Sequence, residues 1–157
     1  MAFKTNATRM VESKKLSHRV IQLPVQEAVS GVQAAELLGV EPELVYKTLV
    51  TVGASKQHYV FVIPVAKELD LKKAARAAGE KNIEMVKSKD LLALTGYVHG
   101  GCSPIGMKKP FAIFVDESAR ALEKMYFSAG KIGYQLEMAP EDLAKVAPYQ
   151  FAVLAAE

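Results

Sequence analysis

Residues 45–65 read VYKTLVTVGASKQHYVFVIPV, and this stretch decides the fold. The runs 45–52 and 58–65 are rich in Val, Ile, Tyr, Phe and Thr, the residue types that suit a pleated surface. A turn around Gly53 to Gln57 separates them, so the two runs predict an antiparallel strand pair. Within the first strand, period-two alternation sets Lys47 on the same face as Val45 and Leu49. An ammonium on an apolar face is costly to bury. Lys47 therefore either snorkels to an edge or meets an anion.

Upstream of this pair, residues 5–16 predict a helix with Thr5 or Asn6 as its cap, and 18–23 a short strand. Ser30 with Gln33 three residues later is a capping-box pattern for a helix that runs to Leu38 and stops at Gly39. Pro42 fits the first turn of a further short helical piece. Downstream, Asp70 and Gly79 bracket a helix over 70–78, residues 82–86 predict a strand, and Ser88 opens a helix to Leu94. Further strands are expected at 111–115, 124–128 and 133–138, then a helix from Pro140 to about Val146 and an edge strand at 150–154. Asp116, just after a strand, reads as a helix cap before it reads as an acid or base. Strands outnumber helices, and no Rossmann glycine fingerprint or strict strand–helix alternation is present. The expectation is a mixed α/β (α+β) domain over 1–157, with a largely antiparallel or mixed sheet.

Composition narrows the function classes. The 157 residues suit one domain, and half of them are apolar. One Cys excludes a disulfide framework, and one Cys with three scattered His excludes a Cys-rich zinc site. No apolar run reaches the roughly 20 residues that span a bilayer, and MAFKTNATRM lacks the apolar core of a signal peptide. A soluble cytoplasmic protein with no membrane partner, metal or cofactor is expected. The net charge of +3 excludes a strongly cationic nucleic-acid clamp, yet it is uneven along the chain. Residues 1–24 carry five basic and one acidic side chain, whereas 25–46 carry four acids and no Lys or Arg. Residues 47–81 carry seven basic against three acidic, and 82–109 four against two. The basic segments make either one phosphate-binding face or ordinary solvated helix faces, depending on how the chain folds.

Two segments concentrate unusual chemistry. Residues 96–109, GYVHGGCSPIGMKK, hold four of the ten glycines. Glycines let backbone amides approach a ligand and form an anion-binding nest; the same composition also serves a plain connection. Residues 128–133, SAGKIG, fit a tight hairpin that can lie at the same end of a sheet as the first loop. Cys102 lies in the first loop with His99 nearby, but no Cys–His–Asn signature, GxSxG elbow or Walker spacing is present. Any hydrolysis must therefore proceed without a triad or a metal.

Several ordered motifs resemble the YbaK/EbsC family of aminoacyl-tRNA deacylases, relatives of the prolyl-tRNA synthetase editing domain. They are TNATR at 5–9, KTLV at 47–50, IPV at 63–65, LDLKKAA at 69–75, TGYVHGGCSPIGMKK at 95–109, YFSAGKIG at 126–133 and LEMAPEDL at 136–143. The resemblance implies a barrel-like mixed sheet with surrounding helices. It also implies hydrolysis of the ester that joins a wrong amino acid to the 3′ end of tRNA(Pro). The family's principal lysine falls on Lys47 and its glycine pair on Gly100 and Gly101, the expected catalytic set. Thr48, Tyr97, Ser103, Ser128 and Gly130 are the expected substrate-binding set. An aromatic residue of some relatives falls around Leu23.

In the YbaK-like branch the resemblance implies that the substrate cysteine's thiol attacks its own ester. A hydrolytic site is the remedy where a synthetase pocket cannot reject cysteine or alanine by size, a methylene being worth only about 1–3 kcal/mol. The expected function is trans-editing of Cys-tRNA(Pro), with prolyl-tRNA synthetase as partner. Alternatives are an Ala-tRNA(Pro) deacylase, a non-catalytic tRNA- or synthetase-binding module, and a hydrolase that uses Cys102 as its nucleophile.

Overall fold

A computed structural model describes residues 4–157. In chain order its elements are α1 (Asn6–Ser13), β1 (Arg19–Gln22), α2 (Gly31–Leu38), β2 (Tyr46–Gly53), β3 (His58–Pro64) and α3 (Leu71–Ala78). There follow β4 (Ile83–Met85), α4 (Ser88–Thr95), β5 (Ala112–Asp116), β6 (Met125–Ser128), β7 (Tyr134–Met138), α5 (Pro140–Val146) and β8 (Gln150–Ala152). The expected elements are all present within a few residues. The first helix is shorter than expected, because Lys15 turns to a φ of 55° and the Leu16 N–H donates back to the Val11 carbonyl.

The 45–65 hairpin is the centre of a five-stranded mixed sheet ordered β4–β2–β3–β5–β8. β2 and β3 pair antiparallel, with Lys47 opposite Ile63 and Leu49 opposite Phe61. β5 joins β3 in parallel, and β8 joins β5 in parallel. A second, three-stranded antiparallel sheet has the order β1–β7–β6. Cross-strand partners share a face, so the hairpin buries two apolar surfaces. Val50, Val60 and Val62 pack with Met125, Phe127 and Leu136 of the smaller sheet. Phe61 and Ile63, both fully buried, pack with Ala74, Ala75 and Leu154 on the other side. Each such side chain contributes about 1.5–3 kcal/mol relative to leaving it in water.

The expected barrel does not close. Val45, the residue before β2, makes a single parallel bridge to Tyr126 of the smaller sheet, while β4 pairs only with Thr51 to Gly53. Between these contacts the edge of β2 has no strand beside it. The physical cause is the brevity of β4, which is three residues long.

The C-terminal segment is fastened through Asp116. Its Oδ2 accepts from the Ser118 N–H at 3.1 Å and caps a 3-10 turn, Glu117–Ala121, that the sequence reading assigned no helix of its own. Its Oδ1 accepts from the Leu154 and Ala155 N–H groups, each at 3.0 Å. Burial raises the Asp116 carboxyl, but these hydrogen bonds outweigh it and hold the group below its usual range. The stabilisation is thus present above the ordinary carboxylate value of about 3.9. It is lost as pH falls through the lower folded-state value. Asp116→Ala strands three backbone donors and is expected to cost roughly 3 kcal/mol in urea unfolding at pH 7. The gap between variant and parent should shrink as the pH is lowered past 4.

Candidate functional site

The uncovered edge of β2 opens on a cavity of about 410 Å³. The size suits a small ligand. Its other walls come from the start of α2, the β4–α4 junction, the loop at 99–102, and the β6–β7 pair. Lys47 is the one Lys, Arg, Asp or Glu among the described lining residues.

The register explains what β2 presents there. The Val45 carbonyl accepts from the Val65 N–H on the β3 side, whereas the Val50 carbonyl accepts from Val86 on the opposite side. Backbone groups alternate in direction along an antiparallel strand, so Thr48 turns its N–H and C=O away from β3. The Thr48 Oγ1 is also buried without a hydrogen-bond partner among the described residues. The same holds for Gln135 Oε1, on the strand position opposite Ser128. Buried polar atoms without partners cost about 1–3 kcal/mol each, and both residues line the cavity.

Lys47 lies on the β2 face expected from alternation, and its side chain is 29% exposed. Its Nζ is 3.9 Å from Oε1 of Glu68, a residue 89% exposed. So long and solvated a pair is worth little. The ammonium remains available to an anionic group.

The expected site residues separate into two layers. Lys47, Thr48, Gly100 and Ser128 line the cavity, as do Cys102 and Leu23. Gly101, Tyr97, Ser103 and Gly130 do not line it and instead hold the two loops behind it. At Gly100, φ is +88° and an added Cβ would fall 2.6 Å from the Ala28 Cβ. At Gly101 an added Cβ would meet the Ile132 backbone nitrogen at 2.9 Å, so the two loops pack backbone against backbone. The Gly101 N–H donates to the Val98 carbonyl at 3.0 Å and is thereby spent. Tyr97 donates to the Ile105 carbonyl at 2.6 Å, and its ring packs against Gly130. Ser103 is fully buried and accepts from the Ile105 N–H at 3.2 Å.

Gln135 and Ser30 are lining residues that the sequence reading did not place at a site. Ser30 was legible only as a cap, which it also is. Gln135 carried no signal, because its position depends on pairing with Ser128.

Burial pushes the Cys102 thiol up to about 12, against a weaker hydrogen bond with Thr95 that lowers it. It is a neutral wall group, not an activated nucleophile. Among the described residues no group of three or more His, Cys, Asp or Glu is placed to hold a metal.

Backbone groups, hydroxyls and one ammonium line the cavity of this mixed α/β domain. Residues 26–146 match the aminoacyl-tRNA editing domain. EbsC of Enterococcus faecalis (strain ATCC 700802 / V583), assigned as a Cys-tRNA(Pro)/Cys-tRNA(Cys) deacylase, is 48% identical over 150 residues, covering 95% of this chain and 92% of EbsC. A proline–tRNA ligase of Shouchella clausii (strain KSM-K16) is 30% identical over 108 residues, 69% of this chain but 19% of the ligase. A solved structure assigned as a trans-editing enzyme for prolyl-tRNA synthetase superposes with a TM-score of 0.86 at 25% identity, covering 99% of this chain and all of that one. The chain belongs to the aminoacyl-tRNA editing domain family.

The buried thiol has a measurable consequence. At pH 8 Cys102 in the folded protein should react with iodoacetamide on the order of a thousandfold more slowly than after denaturation, from its smaller thiolate fraction. Comparable rates would show that the thiol is not held neutral.

Proposed function

We propose that this chain is a trans-editing deacylase that frees tRNA(Pro) from mischarged cysteine. The observation that carries the reading is a cavity rich in positioning groups whose one thiol is held neutral. A site with no nucleophile of its own suits a substrate that brings one. The cysteinyl thiol attacks its own ester carbonyl, a carbon–sulfur bond forms, and the ester carbon–oxygen bond breaks. The thiol proton passes to the departing ribose oxygen, leaving intact tRNA and a cyclic thiolactone, which water opens to cysteine.

In this reaction the protein orients and stabilises. The Thr48 N–H on the unpaired strand edge and the Lys47 ammonium act on developing negative charge and on the terminal nucleotide's oxygens or phosphate. Gly100 lets the loop close tightly over the aminoacyl group, while Gly101, Tyr97, Ser103 and Gly130 fix that loop in place. Ser128 accepts from the Gly130 N–H at 3.1 Å and presents its hydroxyl at the same wall. Holding thiol and carbonyl in attacking geometry supplies a large share of the acceleration. No described helix is long and apolar enough to cross a membrane. A cytoplasmic protein fits this reading, with prolyl-tRNA synthetase as the partner that sharpens selection of tRNA(Pro).

The test is hydrolysis of Cys-, Ala-, Ser- and Pro-tRNA(Pro) by the parent and by Lys47→Ala. Rapid release of cysteine alone is expected, with a loss of about a hundredfold in Lys47→Ala. Cleavage of Ala-tRNA(Pro) as fast as Cys-tRNA(Pro) would end the substrate-thiol mechanism. Full activity in the variant would remove Lys47 from the chemistry.

A further inference from the structure

The fold joins three segments that are far apart in the chain. Asn6 donates through Nδ2 to the Gly106 carbonyl at 2.6 Å, and Met10 packs against Gly106. Thr5 donates to the Ala129 carbonyl at 2.5 Å and touches Gly130. The start of α1 thus seats on both glycine loops at once. Residues 4–16, 96–109 and 128–133 together hold seven Lys or Arg side chains against one carboxylate, Glu12. The whole chain carries only +3, so the rest of the molecule is net negative.

Glu12 is occupied by a salt bridge to Lys4. Arg9, Lys14, Lys15, Lys108 and Lys109 are exposed, and none is in a salt bridge among the described residues. Lys131, also exposed, lies 5.4 Å from the Tyr134 ring centroid. By contrast, residues 66–95 hold seven basic side chains among five acidic ones, a mixed surface. The cationic loops are also the loops that wall the cavity, through Gly100 and Cys102 in one and Ser128 and Gly133 in the other. A polyanion attached to a ligand in the cavity leaves it beside these cations.

We propose that α1 and the two glycine loops form a docking surface for the phosphate backbone of the RNA whose aminoacylated end occupies the cavity. The proposal rests on the deacylase reading for the identity of the polyanion. Phosphate contacts of this kind carry affinity and salt dependence without reading sequence. The surface therefore accounts for binding of tRNA in general and leaves the choice among tRNAs to a partner.

The test titrates uncharged tRNA into the full chain over a range of ionic strengths. The variants are Lys108→Gln/Lys109→Gln, Arg9→Gln/Lys14→Gln and, on α3, Lys72→Gln/Arg76→Gln. Each of the first two pairs is expected to weaken binding roughly tenfold and to flatten the log–log salt slope by about 2. The α3 pair should leave both quantities unchanged, and thermal melting establishes that each variant is folded. Unaltered binding in the first two pairs, or an equal loss in the α3 pair, would overturn the surface. So would intact tRNA binding with loss of association to prolyl-tRNA synthetase, which would assign the face to a protein. If the parent cleaves no aminoacyl-tRNA, the deacylase reading falls, and the binding comparison still decides the surface.

Discussion

The structure depends on one incomplete sheet edge. β2 is eight residues long, but β4 pairs with only its last three positions, and the one backbone bridge to the smaller sheet among the described residues is at Val45, just before β2. An uncovered edge on a protein surface invites pairing with another chain. Here it lies inside a cavity, where the start of α2 and two loops shield it. The Thr48 N–H and C=O, turned away from β3 on this edge, are fixed dipoles held by the strand. A further strand beside β2 here would fill the cavity that this edge opens on.

The orphaned polar atoms carry a stability cost that the rest of the fold must offset. It does so on both faces of the same hairpin. Phe61 and Ile63 bury fully against α3 and Leu154, while Val60 and Val62 bury fully against the smaller sheet. A rigid scaffold directly behind an unsatisfied edge is the arrangement that preorganised sites require. The glycine loops extend the same principle. Contact at Gly101 and Gly130 locks one loop to the other, so that Gly100 and Ser128 face the cavity from a fixed frame.

The scarcity of catalytic side chains is consistent with this design. A chain with one Cys and three His has little to attack an ester with, and burial keeps its Cys neutral. What it has in quantity is positioning. In the proposed reaction the substrate supplies the thiol, and selectivity follows because an amino acid without one is not cleaved.

Much of this was legible in the sequence. The alternation around Lys47, the Ser30 and Asp70 caps and the terminating Gly39 and Gly79 are local patterns, and local patterns specify local elements. The ordered motifs from KTLV to SAGKIG pointed to the family on which the comparisons agree. The sequence by itself therefore determined the elements, the family and the residue types available for chemistry. Only the tertiary structure decided which of them face the cavity. It set Gly101, Tyr97, Ser103 and Gly130 behind the cavity wall, brought Gln135 beside Ser128, and left the sheet open. The physical reason is that these outcomes depend on pairing between distant strands and on how far β4 reaches along β2. Alternation fixes the face of each side chain within a strand, but which distant strand lies beside it, and for how many residues, is decided by the packing of the whole chain.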